Sequence, residues 1–330
     1  METVVDAISS LLPCRWARRC EPVWAGGPVA TAVVGLVVLA IVAIAVAHVV
    51  AAYVLAHRMT RIRRLRVTGS PADVHMDFED VTFASADGPA LRGWYLESPD
   101  ARASVVIVHG DRATRSDPAI GMLELQRDYA RGGLNVLAFD LRGRGESGGQ
   151  RNQLGAGELA DVLGAVRYAQ HRSDTPLVLH GFSTGASLAL TAATRTDQVA
   201  AVVADSPVAS MRAHIRDRHK GVPAHLFALA TRLARWRFDA DIDAVTPARS
   251  MHELGDTTVM FVHCENDRDV PMEHTLNLAA ASLNEADEVW TPYEGGHCTT
   301  YRHGPGEYMH RCLRFIDQAI PSRVPAARAV

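Results

Sequence analysis

A single apolar run constrains the fold of this chain more than any other feature. It extends from Val29 to Ala56, about 28 residues, and is interrupted only by one threonine, one glycine and one histidine. A helix that crosses the hydrocarbon core of a bilayer needs about 20 apolar residues, whereas the apolar region of a cleaved signal peptide has only about 7–15. The run therefore predicts a transmembrane helix over residues 28–57, preceded by an N-terminal segment, 1–27.

Arginines flank this helix on both sides, three before it and five after it. Those before it are Arg15, Arg18 and Arg19, and those after it are Arg58, Arg61, Arg63, Arg64 and Arg66. Because the cytoplasmic flank usually carries the excess of basic residues, this bias predicts a single-pass membrane protein whose C-terminal domain is cytoplasmic. We interpret residues 58–75 as a basic juxtamembrane linker that is solvated and touches anionic lipid.

The composition is that of an ordinary globular protein. Of the 330 residues, 48% are hydrophobic and 22% are charged, and the formal net charge is -3. These values argue against a disordered chain or a polytopic membrane protein, and against a nucleic-acid partner. The five cysteines, which have neither CxxC nor Cys/His metal spacing, are Cys14, Cys20, Cys264, Cys298 and Cys312. They predict neither a disulfide framework nor a zinc site, and we expect no cofactor and no metal.

Residues 76–320 alternate between short β-rich runs and amphipathic helical stretches. The first two runs, 76–85 and 91–97, predict an antiparallel hairpin. Later runs are short and mostly apolar, as strands buried on both faces of a parallel sheet are; they are 104–109, 134–140, 177–181, 199–205, 257–263 and 288–291. The helical stretches are 119–131, 158–171, 184–194, 273–283 and 308–319. This order predicts an α/β domain with a mostly parallel sheet and helices on both faces, followed by a frayed tail, 321–330.

One connection in this domain is too long for a simple crossover. About 50 residues separate the strands that end at Asp205 and begin at Thr257, whereas loops of an α/β unit usually have about 2–6 residues besides the helix. Apolar positions recur at helical spacing within the connection. We therefore predict a small helical cap over residues 206–255.

The sequence Gly181-Phe182-Ser183-Thr184-Gly185 joins an apolar strand to a helix rich in small residues. A sharp turn in this setting lifts a serine hydroxyl above the sheet, and the glycines relieve crowding at the turn. Because a serine hydroxyl is a weak nucleophile at neutral pH, it needs a base that is itself oriented by a carboxylate. The turn predicts that Ser183 is a nucleophile.

Candidate partners for Ser183 follow two later strands. Asp267 comes just after the strand 257–263, and His297 comes after the last strand, so both lie at the carboxyl edge of the sheet, where active sites of open α/β sheets form. We expect His297 to be the base and Asp267 the orienting acid. Asp205 and Asp269 are alternatives for the acid, and Cys298 is an alternative nucleophile. His274 and His303 are interpreted as surface histidines.

From about residue 77 to residue 315 the chain resembles the α/β-hydrolase superfamily, in particular its serine esterase, monoacylglycerol-lipase-like and serine-aminopeptidase-like branch. Five motifs in the family order carry the resemblance: His109-Gly110, Asp140-Leu141-Arg142-Gly143-Arg144-Gly145-Glu146-Ser147, the turn at Ser183, Asp267-Arg268-Asp269-Val270-Pro271, and Gly295-Gly296-His297. The resemblance implies an oxyanion hole made by the backbone N–H groups of Thr184 and of either Asp111 or Arg112.

This sequence departs from the family pattern after His109-Gly110. Small residues and a second glycine often follow there, whereas residues 111–117 of this chain are heavily charged. Two interpretations stay open: the loop binds a polar or anionic group of the substrate, or its charges pair in solvent. We expect Arg112, Phe182, and the cap residues Leu226 and Phe227 to line the substrate site, because ligand sites are mostly apolar.

The function that these features predict is that of a membrane-anchored serine hydrolase. It would cleave an ester or thioester in a lipid, a small acyl ester or an acylated protein through an acyl-enzyme. A peptidase or amidase with the same triad is one alternative, and a non-catalytic membrane scaffold of the same fold is another. Residues before about Arg66 are expected to anchor the chain without contributing to the site.

Overall fold

A computed structural model of the protein describes residues 28–320, so the N-terminal segment 1–27, with Cys14 and Cys20, and the tail 321–330 lie outside the described residues. The chain divides into two compact units between Ala51 and Ala52. In the part described, the first unit is the beginning of helix α1, Pro28–Thr60, whose remaining turns belong to the second unit. Apolar side chains of α1 are exposed from Val29 onward, and α1 is the one described helix long and apolar enough to cross a membrane.

The second unit contains a sheet of eight strands within the described residues. The strands are β1 (Glu79–Ala84), β2 (Ala90–Leu96), β3 (Ala103–Val108), β4 (Leu134–Phe139), β5 (Leu177–Phe182), β6 (Val199–Asp205), β7 (Thr258–Val262) and β8 (Glu288–Trp290). Their spatial order is β1-β2-β4-β3-β5-β6-β7-β8. The β1–β2 and β2–β4 pairs are antiparallel, and every later pair is parallel. The predicted hairpin and mostly parallel sheet are confirmed, with strand ends shifted by at most three residues.

Helices cover both faces of this sheet, as predicted. They are α2 (Met122–Arg131), α3 (Ala156–Arg172), α4 (Thr184–Ala193), α5 (Met211–Arg218), α6 (Ala224–Phe238), α7 (Pro247–Ser250), α8 (Glu273–Ala281), α9 (Thr300–His303) and α10 (Pro305–Ala319). Successive strand residues point to opposite faces, so Val106 and Val108 pack with α3 and α4, whereas Val105 and Ile107 pack with α2 and α10. Burial on both faces explains why the strands are continuous apolar runs.

In the long connection between β6 and β7, where the sequence predicted a small helical cap over residues 206–255, helices α5 and α6 are followed by the short helix α7. Helix α5 ends at Arg218, and α6 begins at Ala224 after a turn that contains Pro223. A proline is tolerated at the start of a helix but not in its interior, which separates the two. Polar residues of α5 line the pocket described below. The apolar face of α6 packs instead against the end of α1.

The second unit begins at Ala52, earlier than the predicted domain boundary at residue 76. Ala52 and Ala56, on the last turns of α1, are completely buried against the cap. In the predicted linker 58–75, Arg64 is exposed, yet its guanidinium donates hydrogen bonds to the carbonyl oxygens of Gly145, Ser147 and Gly149. The segment that follows the apolar run is therefore part of the folded domain.

Candidate active site

Ser183 occupies the sharp turn between β5 and α4. Its backbone has φ 54° and ψ -121°, a strained conformation for a residue with a side chain and one that concentrates at functional sites. The main-chain N–H of Ser183 donates to the carbonyl oxygen of Asp205 on the neighbouring strand (2.8 Å), which holds the turn in place. The side chain therefore projects beyond the carboxyl end of β5, as the sequence predicted.

Two glycines allow the turn because the chain passes close to itself there. A Cβ on Gly181 would lie 2.4 Å from the Cα of Ala186, and one on Gly185 would lie 2.3 Å from the carbonyl oxygen of Val108. Carbon and oxygen atoms do not approach this closely without a bond, so an alanine at either position would push α4 away from the sheet. The spacing of the motif is thus a packing requirement of the turn.

His297 and Asp267 complete a hydrogen-bonded line with Ser183. The Nε2 atom of His297 lies 2.9 Å from the Oγ atom of Ser183, and its Nδ1 atom lies 2.8 Å from Oδ2 of Asp267. Since an ionised carboxylate can only accept, Nδ1 carries the proton and Nε2 is free to accept the proton of the serine hydroxyl. The structure thus brings together the three residues predicted from the sequence.

Asp267 is oriented by backbone N–H groups of the loop in which it lies. Its Oδ1 atom accepts hydrogen bonds from the N–H groups of Asp269 and Val270, both at 2.9 Å, which leaves Oδ2 to face His297. Burial raises the pKa of Asp267, but the hydrogen bonds from His297 and the backbone outweigh burial and lower it overall. Burial likewise lowers the pKa of His297, yet the hydrogen bond and charge of Asp267 raise it above 6.5.

The two alternative acids do not occupy this position. Asp205 is completely buried, and its carboxylate accepts hydrogen bonds from Tyr308 (2.9 Å) and Ser206 (3.1 Å). Burial raises the pKa of Asp205 to about 6. Asp269 is exposed and contributes its backbone N–H to Asp267. Neither side chain has a hydrogen bond to His297 among residues 28–320.

Cys298 lies beside His297 but is poorly suited to be the nucleophile. Its Sγ atom is 3.7 Å from Nε2 of His297, and the side chain is 4% exposed. Burial raises the pKa of the Cys298 thiol well above its usual range, whereas reactive cysteines have a lowered pKa and are partly exposed.

The loop after β3, residues 110–117, borders Ser183 from the other side. Within the described part of the chain, the main-chain N–H groups of Asp111, Arg112 and Thr184 have no hydrogen-bond acceptor. Unpaired N–H groups beside a nucleophile are the donors that an oxyanion requires. His109, which precedes the loop, is buried and bonds the N–H of Leu141 (3.1 Å), so it holds the loop against the end of β4.

The charges of this loop are not simply solvated, which corrects one of the two interpretations. Arg115 is 3% exposed, and its guanidinium pairs with Asp140 and Glu146. Asp111 accepts from Arg144 at 2.8 Å. Burial raises the pKa of Asp111, but Arg144 and two further arginines lower it overall. The charges of Asp111 and Arg115 therefore fix the loop on its neighbours, and Asp111, Arg112 and Asp117 line the pocket.

A pocket of about 630 Å³ opens above Ser183. Arg112 and Phe182 line it, as predicted. Leu226 and Phe227 do not, because α6 turns its apolar face away from the site: Phe227 is 4% exposed and packs with Ala52 and Ala56. The prediction that these two cap residues line the substrate site is wrong.

The cap contributes polar residues of α5 and the turn after it instead. His214, Asp217, Arg218 and Lys220 line the pocket from this side, and Arg268 and His274 line it from the acid loop and α8. Burial, with the charge of Arg218, lowers the pKa of His214 to about 4, so this imidazole is neutral at pH 7. His274, interpreted from the sequence as a surface residue, is half-buried, and its Nδ1 accepts the N–H of Ala209 (3.2 Å). Helical periodicity marks the apolar face of a cap helix and gives no signal for polar residues that line a pocket.

The sheet order, the strained serine turn and the residues at the strand ends define an α/β-hydrolase. The chain belongs to the prolyl oligopeptidase family, whose model matches residues 125–322, more than half of its length. It is 27% identical over 256 residues to protein YfhR of Escherichia coli (strain K12), covering 73% of this chain and 81% of that protein. It is 24% identical over 271 residues to the alpha/beta hydrolase domain-containing protein WAV2 of Arabidopsis thaliana, covering 77% and 83%.

A solved structure shares the fold. The esterase Pf2001 of Pyrococcus furiosus superimposes with a TM-score of 0.65 at 22% identity, covering 80% of this chain and 99% of that one. At this identity the likeness concerns the architecture. The resemblance to the α/β-hydrolase superfamily predicted from the motifs is confirmed.

Proposed function

We propose that this protein is a serine hydrolase that cleaves esters or thioesters through an acyl-enzyme. The observation that carries the proposal is the line from Ser183 through His297 to Asp267, with both hydrogen bonds within 2.9 Å. In this scheme Ser183 attacks the substrate carbonyl while His297 takes its proton, and Asp267 stabilises the resulting imidazolium. The alkoxide or thiolate leaving group then takes that proton, and water releases the acid in a second cycle.

The oxyanion of each tetrahedral intermediate would be held by the backbone N–H of Thr184 and one from the loop after β3. The unpaired N–H groups of Asp111 and Arg112 are both candidates for the second donor. Such donors are worth about 10²–10³ in rate because they are aligned before the charge develops. The polar rim, with Arg112, Arg218 and Arg268, favours a substrate with polar groups near the scissile bond over a long hydrocarbon chain.

A peptidase is the second candidate, and a specific observation favours it. The family whose model matches this chain is named for an oligopeptidase, whereas the solved structure of similar fold is an esterase. An amide is harder to cleave because its nitrogen must be protonated as it leaves, but the same three residues can do this.

A substrate panel on the full chain in detergent tests the proposal. We expect turnover of two-carbon and four-carbon nitrophenyl esters and thioesters, and its loss in Ser183→Ala and in His297→Ala to a similar degree, since the residues act as a unit. Turnover of a prolyl peptide anilide at a comparable kcat/KM would favour the peptidase. If the protein cleaves none of these substrates and its two variants behave as the unchanged chain does, the result would favour the non-catalytic membrane scaffold.

We also propose that α1 is an uncleaved anchor. An apolar helix near the N-terminus is typical of both membrane spans and signal sequences. Ala52 and Ala56 at its end are buried in the catalytic unit, which supports retention of the helix. Membrane fractions should keep the protein after alkaline carbonate washing, with residue 28 onward intact by mass spectrometry. A processed, washable protein would contradict the anchor, and protease protection tests the cytoplasmic orientation.

A further inference from the structure

The end of α1 is built into the cap of the catalytic unit. Phe238 on α6 packs against the rings of Tyr53 and His57, with centroids 6.0 Å apart in both pairs. The Arg151 guanidinium lies 4.1 Å from the centre of the same Phe238 ring. These contacts, together with the buried Ala52 and Ala56, give residues 52–60 a fixed place in the domain.

Hydrogen bonds continue this contact toward the loop after β3. The carbonyl oxygen of Thr60 accepts the N–H of Asn152 at 3.0 Å, and Arg61 forms an antiparallel bridge with Arg151. The side-chain amide of Asn152 in turn donates to Oδ1 of Asp111 at 3.3 Å. One residue, Asn152, therefore connects the end of α1 to the loop that borders the nucleophile.

Arg64 makes a second connection through the loop at residues 143–149. Its guanidinium donates to the carbonyl oxygens of Gly145 (2.9 Å), Ser147 (2.7 Å) and Gly149 (2.9 Å). Arg144, within this loop, bonds the carboxylate of Asp111 at 2.8 Å. The planar five-donor guanidinium is suited to gathering several carbonyls in this way.

The third connection is direct. The main-chain N–H of Thr68 donates to Oγ of Ser116 at 2.9 Å, and Ser116 is 1% exposed. The neighbouring residue Arg115 donates its own N–H to Oδ1 of Asp140 at 2.9 Å. The segment 52–68 thus contacts both ends of the loop 110–117. It reaches Asp111 through Asn152, and it reaches Ser116 directly through Thr68.

We infer that residues 52–68, which we name the juxtamembrane segment, position the oxyanion donors and so control turnover. The inference rests on the proposed function, because it assigns a purpose to the backbone N–H groups of Asp111 and Arg112. Arg64 and Asn152 act as positioning residues: neither lines the pocket, and each acts through the loop. Oxyanion donors work mainly in the transition state, so their displacement lowers kcat more than it raises KM. Membrane attachment and catalysis then share one structural element, contrary to the expectation that residues before Arg66 only anchor.

The test compares Arg64→Ala with Arg63→Ala in the full chain, solubilised in detergent. Arg63 is an exposed neighbour of the same type, without a side-chain partner among residues 28–320. Active sites are counted with a fluorophosphonate, and kcat and KM are measured on a two-carbon ester per counted site. We expect a kcat loss between about tenfold and 10²-fold in Arg64→Ala, since misplacement by about 1 Å can have that effect. We expect little change in KM, partial rescue in Arg64→Lys, and no loss in Arg63→Ala.

Asn152→Ala keeps the test decisive if Arg64→Ala does not fold. It removes the amide from Asp111 but keeps the backbone bond to Thr60, and a kcat loss in the same direction is expected. Unchanged kcat per counted active site in both variants would overturn the inference. A loss confined to the number of titratable active sites would also overturn it, because a purely structural role gives that result. A parent protein without phosphonate labelling or turnover would instead reject the proposed function.

Discussion

Replacing Asp267 by asparagine tests the electrostatic account of the site most sharply. The carboxylate is 1% exposed and lies 2.8 Å from Nδ1 of His297, so it decides which ring nitrogen carries the proton. The amide of Asn can donate to Nδ1, which would leave the proton on Nε2 and stop that atom from accepting from Ser183. The matching change in a serine protease lowers kcat by about 10⁴, which equals about 5.4 kcal/mol in activation free energy.

The pH dependence adds a second, independent readout. In the unaltered protein the raised pKa of His297 means that kcat/KM falls as pH decreases through a value above 6.5, because the protonated imidazole cannot act as a base. The hydrogen bond and charge of Asp267 raise this pKa, so Asp267→Asn should move the acid limb to lower pH while reducing the plateau.

The assay is stopped-flow hydrolysis of an activated two-carbon ester between about pH 5 and 9, normalised to folded protein by circular dichroism. Asp269→Asn is the matched control, since its side chain is exposed and it keeps its backbone bond to Asp267; it should stay within a few-fold of the parent. A loss in Asp267→Asn below about tenfold, or an acid limb at the parent pH, would refute the assignment of Asp267.

Two further predictions follow from the placement of the side chains. Phe227→Ala should lower the free energy of unfolding by about 3–5 kcal/mol, measured by denaturant titration in detergent. The relative rates on two-carbon to eight-carbon esters should stay unchanged, and a selective change in acyl preference would show that Phe227 contacts the substrate. Cys298→Ser should keep most of the hydrolytic activity, because the buried thiol is protonated at neutral pH and takes no part in the attack; complete loss of activity, with normal folding, would make Cys298 essential.

The elements that the sequence predicted well are those with local causes. Strands β3 to β7 are short apolar runs because they are buried on both faces, and this requirement is visible within five to seven residues of chain. Likewise Gly181, which lies close to Ala186, and the amides that hold Asp267 act within their own loops. For this reason the placement of Ser183, Asp267 and His297 at one sheet edge could be predicted from motifs and strand ends.

The failed predictions concern contacts between distant segments. The apolar stripe of α6 was visible in the sequence, but its partner, the end of α1 at Ala52 and Ala56, lies about 170 residues earlier. Helical periodicity identifies an apolar face without identifying what covers it. The same limit applies to Arg64 and Arg115, whose acceptors on the loop 140–149 lie far along the chain.

Locating the residue that reacts with a serine-directed phosphonate tests the central claim most directly. The full chain is treated with a fluorophosphonate in detergent, digested, and the adduct is assigned by mass spectrometry. We predict a single adduct on Ser183, absent from folded Ser183→Ala and retained in Ser187→Ala, whose hydroxyl is engaged by the carbonyl oxygen of Val208 at 2.8 Å. Undiminished labelling of Ser183→Ala, or an adduct on another residue of the parent, would contradict the assignment of Ser183 as the nucleophile.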